Sequence, residues 1–94
     1  MKILGFDWDK GNIRKNEIKH GVTSTECEQI FHNKPLIIAQ SLGRLNTEIR
    51  FSALGKTYAS RLLQVIFTLR EEKIRVISAR PMSKKERGIY EKEK

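Results

Sequence analysis

The chain is poor in the residues that staple or activate small proteins. One cysteine among 94 residues excludes an internal disulfide. Two histidines beside it are too few for a dedicated zinc centre unless carboxylates complete the set. Two prolines and six glycines leave no linker or low-complexity stretch. No apolar run approaches the ~20 residues that span a bilayer. Residues 1–6 start like a secretory leader, but Asp7 and Asp9 cut the apolar part short, so a cytoplasmic protein without membrane contact is expected. The glycine-rich phosphate loop, the G-x-S-x-G elbow and the H-E-x-x-H helix are all missing. Acidic residues are outnumbered by basic ones.

What is present is positive charge. Nineteen Lys and Arg against eleven Asp and Glu give +8 and a pI near 9.9. The excess is uneven: seven basic and five acidic residues lie in 1–47, twelve and six in 48–94. Such a balance suits a nucleic acid or an acidic protein. With 38% hydrophobic and 32% charged residues, the apolar positions still fall in periodic groups, which predicts a single folded domain over 1–94.

The periodicity predicts β-α-α-β-β-β-β-α. A strand over Lys2–Phe6 is followed by a helix over Lys10–His20, capped by Asp9 and stopped by Gly21. Ile13, Asn16 and His20 form its inward stripe, with Trp8 as a packing partner, and Ile18 lies off the stripe. Thr23 and Glu26 form a capping box for a second helix, with Val22 and Cys27 as its hydrophobic staple. Asn33-Lys34-Pro35 ends it. Strands follow over Leu36–Ala39, Glu48–Leu54, Leu62–Leu69 and Ile74–Arg80, the last two buried on both faces. Ser41–Thr47 reads as a loop, Gly55–Ser60 as a turn, and Glu71-Glu72-Lys73 as a hairpin connection lacking the usual glycine. Pro81 breaks the last strand, and a second capping box, Ser83 with Glu86, opens a C-terminal helix. The expected fold is α+β, with helices on one face of a twisted, mainly antiparallel sheet.

Cys27, inside an amphipathic helix, reads as a small core residue, and His32 as a capping or surface residue. His20, at a helix end beside Lys19, is either a general acid or base or a helix-terminal histidine bonding the last carbonyls. Glu48 and Arg50, two apart on a strand, share a face; they form a surface pair, or a base beside a phosphate-holding cation. Arg80 is placed to reach the same surface. Residues 70–87 hold seven basic and three acidic residues, the footprint of a polyanion site or a solvated edge. Such parts suit metal-free RNA cleavage, in which the ribose 2′-OH attacks the adjacent phosphorus.

Phe6-Asp7-Trp8-Asp9, Asn16, Lys19-His20-Gly21-Val22, Glu26 and Phe31 resemble the N-terminal signature of BrnT-type toxins. The second half agrees: Glu48-Ile49-Arg50-Phe51 with Gly55, Phe67-Thr68, I-R-V-I-S-A-R over 74–80, then Ser83, Glu86-Arg87 and Tyr90. The resemblance implies a RelE-like ribonuclease toxin of a type II toxin–antitoxin system, which cleaves RNA without a cofactor or metal and inhibits translation. It further implies a BrnA-like antitoxin as partner, with DNA contacted only through that antitoxin. The site residues expected from placement and charge are His20, Glu48, Arg50 and Arg80 for catalysis, and Lys19, Arg75, Lys84, Lys85, Arg87 and Tyr90 for RNA. The chain departs from the family pattern at Asn12, at Ser24 and in the loop Ser41–Thr47. The alternatives are a non-catalytic basic binding module, or a degenerate toxin kept for repression with its antitoxin.

Overall fold

Local capping sets the helices of the chain, whose computed structural model describes residues 4–42 and 49–93. α1 (Lys10–His20) starts at Asp9, whose carboxylate accepts from the Gly11 N–H at 2.8 Å. It ends at Gly21, left-handed at φ 63°, whose N–H reaches the Glu17 carbonyl. α2 (Ser24–Phe31) and α3 (Lys84–Glu91) both carry complete capping boxes, Thr23 with Glu26 and Ser83 with Glu86. β1 (Gly5–Phe6) precedes α1, and β2 (Ile37–Leu42), β3 (Ile49–Lys56), β4 (Leu62–Arg70) and β5 (Lys73–Pro81) lie between α2 and α3.

The five strands form one sheet in the order β1-β5-β4-β3-β2. β1 runs parallel to β5 and the other pairs are antiparallel. The element order is the expected one, with shifted boundaries. β2 extends through Ser41 and Leu42, where a loop is expected. β3 runs on to Lys56, and Pro81 is the last residue of β5 rather than its breaker. Lys2 and Ile3 of the first expected strand, residues 43–47 of the expected loop, and Glu48 lie outside the described residues. Glu71 and Glu72 take φ of 53° and 62°, so the β4–β5 hairpin adopts left-handed angles usually given to Asn-Gly.

The helices occupy both faces of the sheet, not one. Val22, Cys27 and Ile30 from the α2 region pack on Ala53, Leu63, Val65, Phe67, Ile74, Val76 and Ala79. On the reverse face Tyr90 of α3 packs with Leu54 and Met82, flanked by Ile37 and Leu62. Strand alternation explains the split: Ala53 and Leu54, and Leu62 and Leu63, are neighbours that must point to opposite sides. The Tyr90 hydroxyl donates to the Pro35 carbonyl at 2.6 Å and ties α3 to the entry of β2. Burial pushes the Cys27 thiol up to about 12, the adjacent Glu26 and Glu28 adding to it, which suits an inert core residue.

The first helix is held by a polar contact. Buried Asn16 accepts from the Ala79 N–H at 3.3 Å, docking α1 on β5. Trp8 serves α2 instead of α1: its Nε1 donates to Glu28 at 2.7 Å while its ring stacks on Phe6. Arg61, just before β4, binds Glu26 and the carbonyls of His20 and Gly21, fastening the α1–α2 junction to the sheet. No helix among the described residues is long and apolar enough to cross a membrane.

Candidate nucleic-acid interface

One residue too many in β5 shapes the face that α3 leaves uncovered. Ile66 pairs with Ser78, but Phe67 pairs with Val76, so Ile77 is a bulge. In a regular strand, Arg75 and Arg80, five apart, would face opposite sides. The bulge restores them to one side, the side opposite Val76 and Ala79, and turns Ile77 into a groove of about 270 Å³. Arg50, Thr68, Arg70 and Arg75 complete the lining, and no described carboxylate does.

Register gives this groove its geometry. Arg50 on β3 pairs with Thr68 on β4, and Thr68 pairs with Arg75 on β5. At ~4.8 Å between strands, the two arginine backbones stand roughly 10 Å apart across the threonine. Arg70 follows Thr68 by two residues and shares its face. Thr68 is buried and donates to the Ile49 carbonyl at 3.1 Å, so it braces the strands while the guanidiniums line the rim. Guanidiniums are charged at all physiological pH and offer paired donors that match phosphate oxygens. Arg50 and Arg70 also have further interaction partners.

The expected constellation of His20, Glu48, Arg50 and Arg80 is not assembled among the described residues. Glu48 lies outside them. The His20 carbonyl accepts from Arg61 at 3.3 Å, next to the start of β4, while Arg50 pairs with Thr68 near its other end. Seven residue steps separate Arg61 from Thr68, ~23 Å at ~3.3 Å per step. Arg80 pairs in register with Gln64, and its guanidinium is committed to Glu86, at 2.8 and 2.9 Å. That contact holds the Glu86 carboxyl below the usual range, against burial and with help from the Ser83 N–H.

Of the expected RNA contacts, Arg75 lines the groove. Lys84, Lys85 and Arg87 are exposed on α3, and Lys19 is exposed in the last turn of α1. Tyr90 is fully buried with its hydroxyl on Pro35, so it is a core residue and not a surface contact. Arg70 lines the groove too, and the sequence reading does not single it out. Its signal was present: it lies within the basic run 70–87 and two residues after Thr68 on an alternating strand.

The family described as "Ribonuclease toxin, BrnT, of type II toxin-antitoxin system" matches residues 8–86. The chain belongs to this BrnT family. The crystal structure of the Brucella abortus ribonuclease toxin BrnT, at 1.1 Å resolution, has a similar fold, with a TM-score of 0.58 and 22% identity over 85% of this chain and 97% of that one. No curated protein matches the chain by sequence. Most of the BrnT-like signature is architectural here. Trp8 bonds Glu28, Asn16 docks on Ala79, Gly21 caps α1, Glu26 pairs with Arg61, and Phe31 packs edge-on to Phe67. Arg50, Thr68, Arg75 and Ile77 are the signature residues that reach the groove.

Proposed function

We propose that this BrnT-family chain is a metal-independent endoribonuclease toxin that acts in the cytoplasm, inhibits translation and is neutralised by a BrnA-like antitoxin. DNA would be contacted only through that antitoxin. The observation that carries this reading is the row Arg50–Thr68–Arg75 with Arg70 beside it, on a sheet face that α3 leaves open. A phosphodiester lying across Thr68 would meet guanidiniums from both sides. In the reaction the 2′-oxygen loses its proton and bonds to phosphorus, the P–O5′ bond breaks, the leaving O5′ takes a proton from water, and a 2′,3′-cyclic phosphate remains. The arginines offset the charge that gathers on the phosphoryl oxygens. Glu48, two residues before Arg50 in the sequence, is the proposed acceptor of the 2′ proton, and His20 and Arg80 take no part in the chemistry. Lys84, Lys85, Arg87 and Lys19 would hold flanking phosphates.

One observation favours a second reading, a binding module or degenerate toxin without catalysis: no acid or base among the described residues lines the groove. The two are separated by incubating the purified protein with a defined RNA in EDTA. The toxin reading expects fragments ending in 2′,3′-cyclic phosphate. Salt-sensitive binding with the RNA left whole supports the alternative.

A further inference from the structure

Two isoleucines on the open face of the sheet belong to neither core. Ile66 of β4 and Ile77 of β5 are half-buried, and neither packs in the α2-side cluster or the α3-side cluster. Ile66 stands on the middle strand of five, away from both edges. Register gives it neighbours: Ser52 on β3 pairs with Ile66, and Ile66 pairs with Ser78 on β5. Two residues along β3 and β4 from Arg50–Thr68–Arg75, this row of Ser52, Ile66 and Ser78 shares its face. The two rows are roughly 7 Å apart, and the bulged Ile77 falls between them on β5. The next row, Leu54–Gln64–Arg80, already meets α3 through Leu54 and through Glu86.

A phosphate alone has no use for this apolar strip, because it carries no apolar surface to bury. A nucleotide does, one ribose away from its phosphate. The strip has polar flanks as well. Ser52 Oγ accepts from Gln64 Nε2 at 3.2 Å, and among the described residues nothing takes up the Ser52 or Ser78 hydroxyl proton. We propose that Ile66 and Ile77, flanked by Ser52 and Ser78, form a nucleobase platform. The groove then binds a whole nucleotide, with its phosphate on the arginine row and its base laid flat on the two isoleucines. This inference rests on the arginine row being the phosphate site. A base inside a duplex has both faces stacked, so the platform admits only unpaired RNA. Hydroxyls donate as well as accept, so the flanks suit any base edge and select none strongly.

The test compares two fluorescent decamers of equal length and charge on the full chain. One is a 2′-O-methyl uridylate decamer, whose blocked 2′-oxygen bars cleavage, and the other is the same backbone without bases. The parent should bind the abasic decamer roughly fivefold more weakly, the worth of covering one half-exposed aliphatic side chain. The salt dependence of the two should be the same, since the phosphate contacts are shared. Ile77→Val should keep the preference for bases. Ile77→Ser should erase most of it, and so should Ile66→Thr, which retains a β-branched side chain on the central strand. Equal affinity of the parent for both decamers overturns the platform and leaves the phosphate reading intact. A preference that survives in both Ile77→Ser and Ile66→Thr also overturns it, because the base is then held elsewhere. Failure of the parent to bind either decamer at low salt removes the proposed function and the platform with it. A base preference that depends on Ile77, in a chain that leaves RNA whole in EDTA, supports the platform and removes only the catalysis.

Discussion

Arg80 holds both carboxylate oxygens of Glu86, at 2.8 and 2.9 Å, while the Ser83 N–H bonds one of the same oxygens at 2.8 Å. A single carboxylate thus caps α3 and fastens it to β5. The Arg80 hydrogen bonds are the main reason Glu86 stays ionised below its ordinary 4.5, and burial opposes them. A depressed folded pKa stabilises the protein above the unfolded value and loses that stabilisation as pH falls through the folded one. Stability to urea should therefore decline as pH drops below 4.5. Glu86→Gln should flatten that decline and cost about 1–2 kcal/mol at pH 7, from the weakened cap and pair. Arg80→Ala should lower the urea midpoint in the same way, in keeping with a fastening role.

Tyr90 offers a separate test of core against surface. Its hydroxyl donates to the Pro35 carbonyl from a fully buried ring. Tyr90→Phe keeps the ring and leaves that carbonyl without its donor. The expected loss is ~1–2 kcal/mol in urea denaturation. RNA affinity of the folded variant should equal the parent's.

Gly55 marks a close approach of α2 to the sheet. A Cβ built there would stand 2.8 Å from the Ile30 Cβ and 3.3 Å from its carbonyl oxygen. Neither atom is the loose end of a side chain, so the helix itself must shift. Gly55→Ala should cost about 1–3 kcal/mol by overpacking, read as a lowered thermal midpoint. An unchanged midpoint would show that α2 yields without cost.

Helix ends were legible because caps are local. Asp9, Gly21, Thr23 with Glu26, and Ser83 with Glu86 announce their helices within four residues. The two-sided core was half legible. Apolar residues on both faces of Leu62–Leu69 require cover on both, but nothing local tells α3 to take the face opposite α2. The site was less legible, since it depends on non-local register. A period-two reading of β5 places Arg75 and Arg80 on opposite faces, and only the Ile77 bulge reunites them. Arg80 reads as an available cation until α3 folds back and brings Glu86 to it. Tyr90 reads as a contact, yet a tyrosine has an apolar body and a polar tip, and here the body decides and the ring is core.

The central claim is that the groove of Arg50, Arg70 and Arg75 holds the RNA phosphate. Three phosphate contacts on a single strand would make affinity fall as roughly the second power of salt concentration. The most direct measurement is the single-turnover rate of RNA cleavage, in EDTA, by Arg75→Ala against the parent chain. Arg75 is surface-lining, and its loss should leave the urea midpoint near the parent's. Removal of one charge-stabilising group should slow cleavage several hundredfold, ~3–4 kcal/mol in the transition state. A folded Arg75→Ala that cleaves at the parent rate would contradict the account, as would a parent chain that leaves the RNA intact.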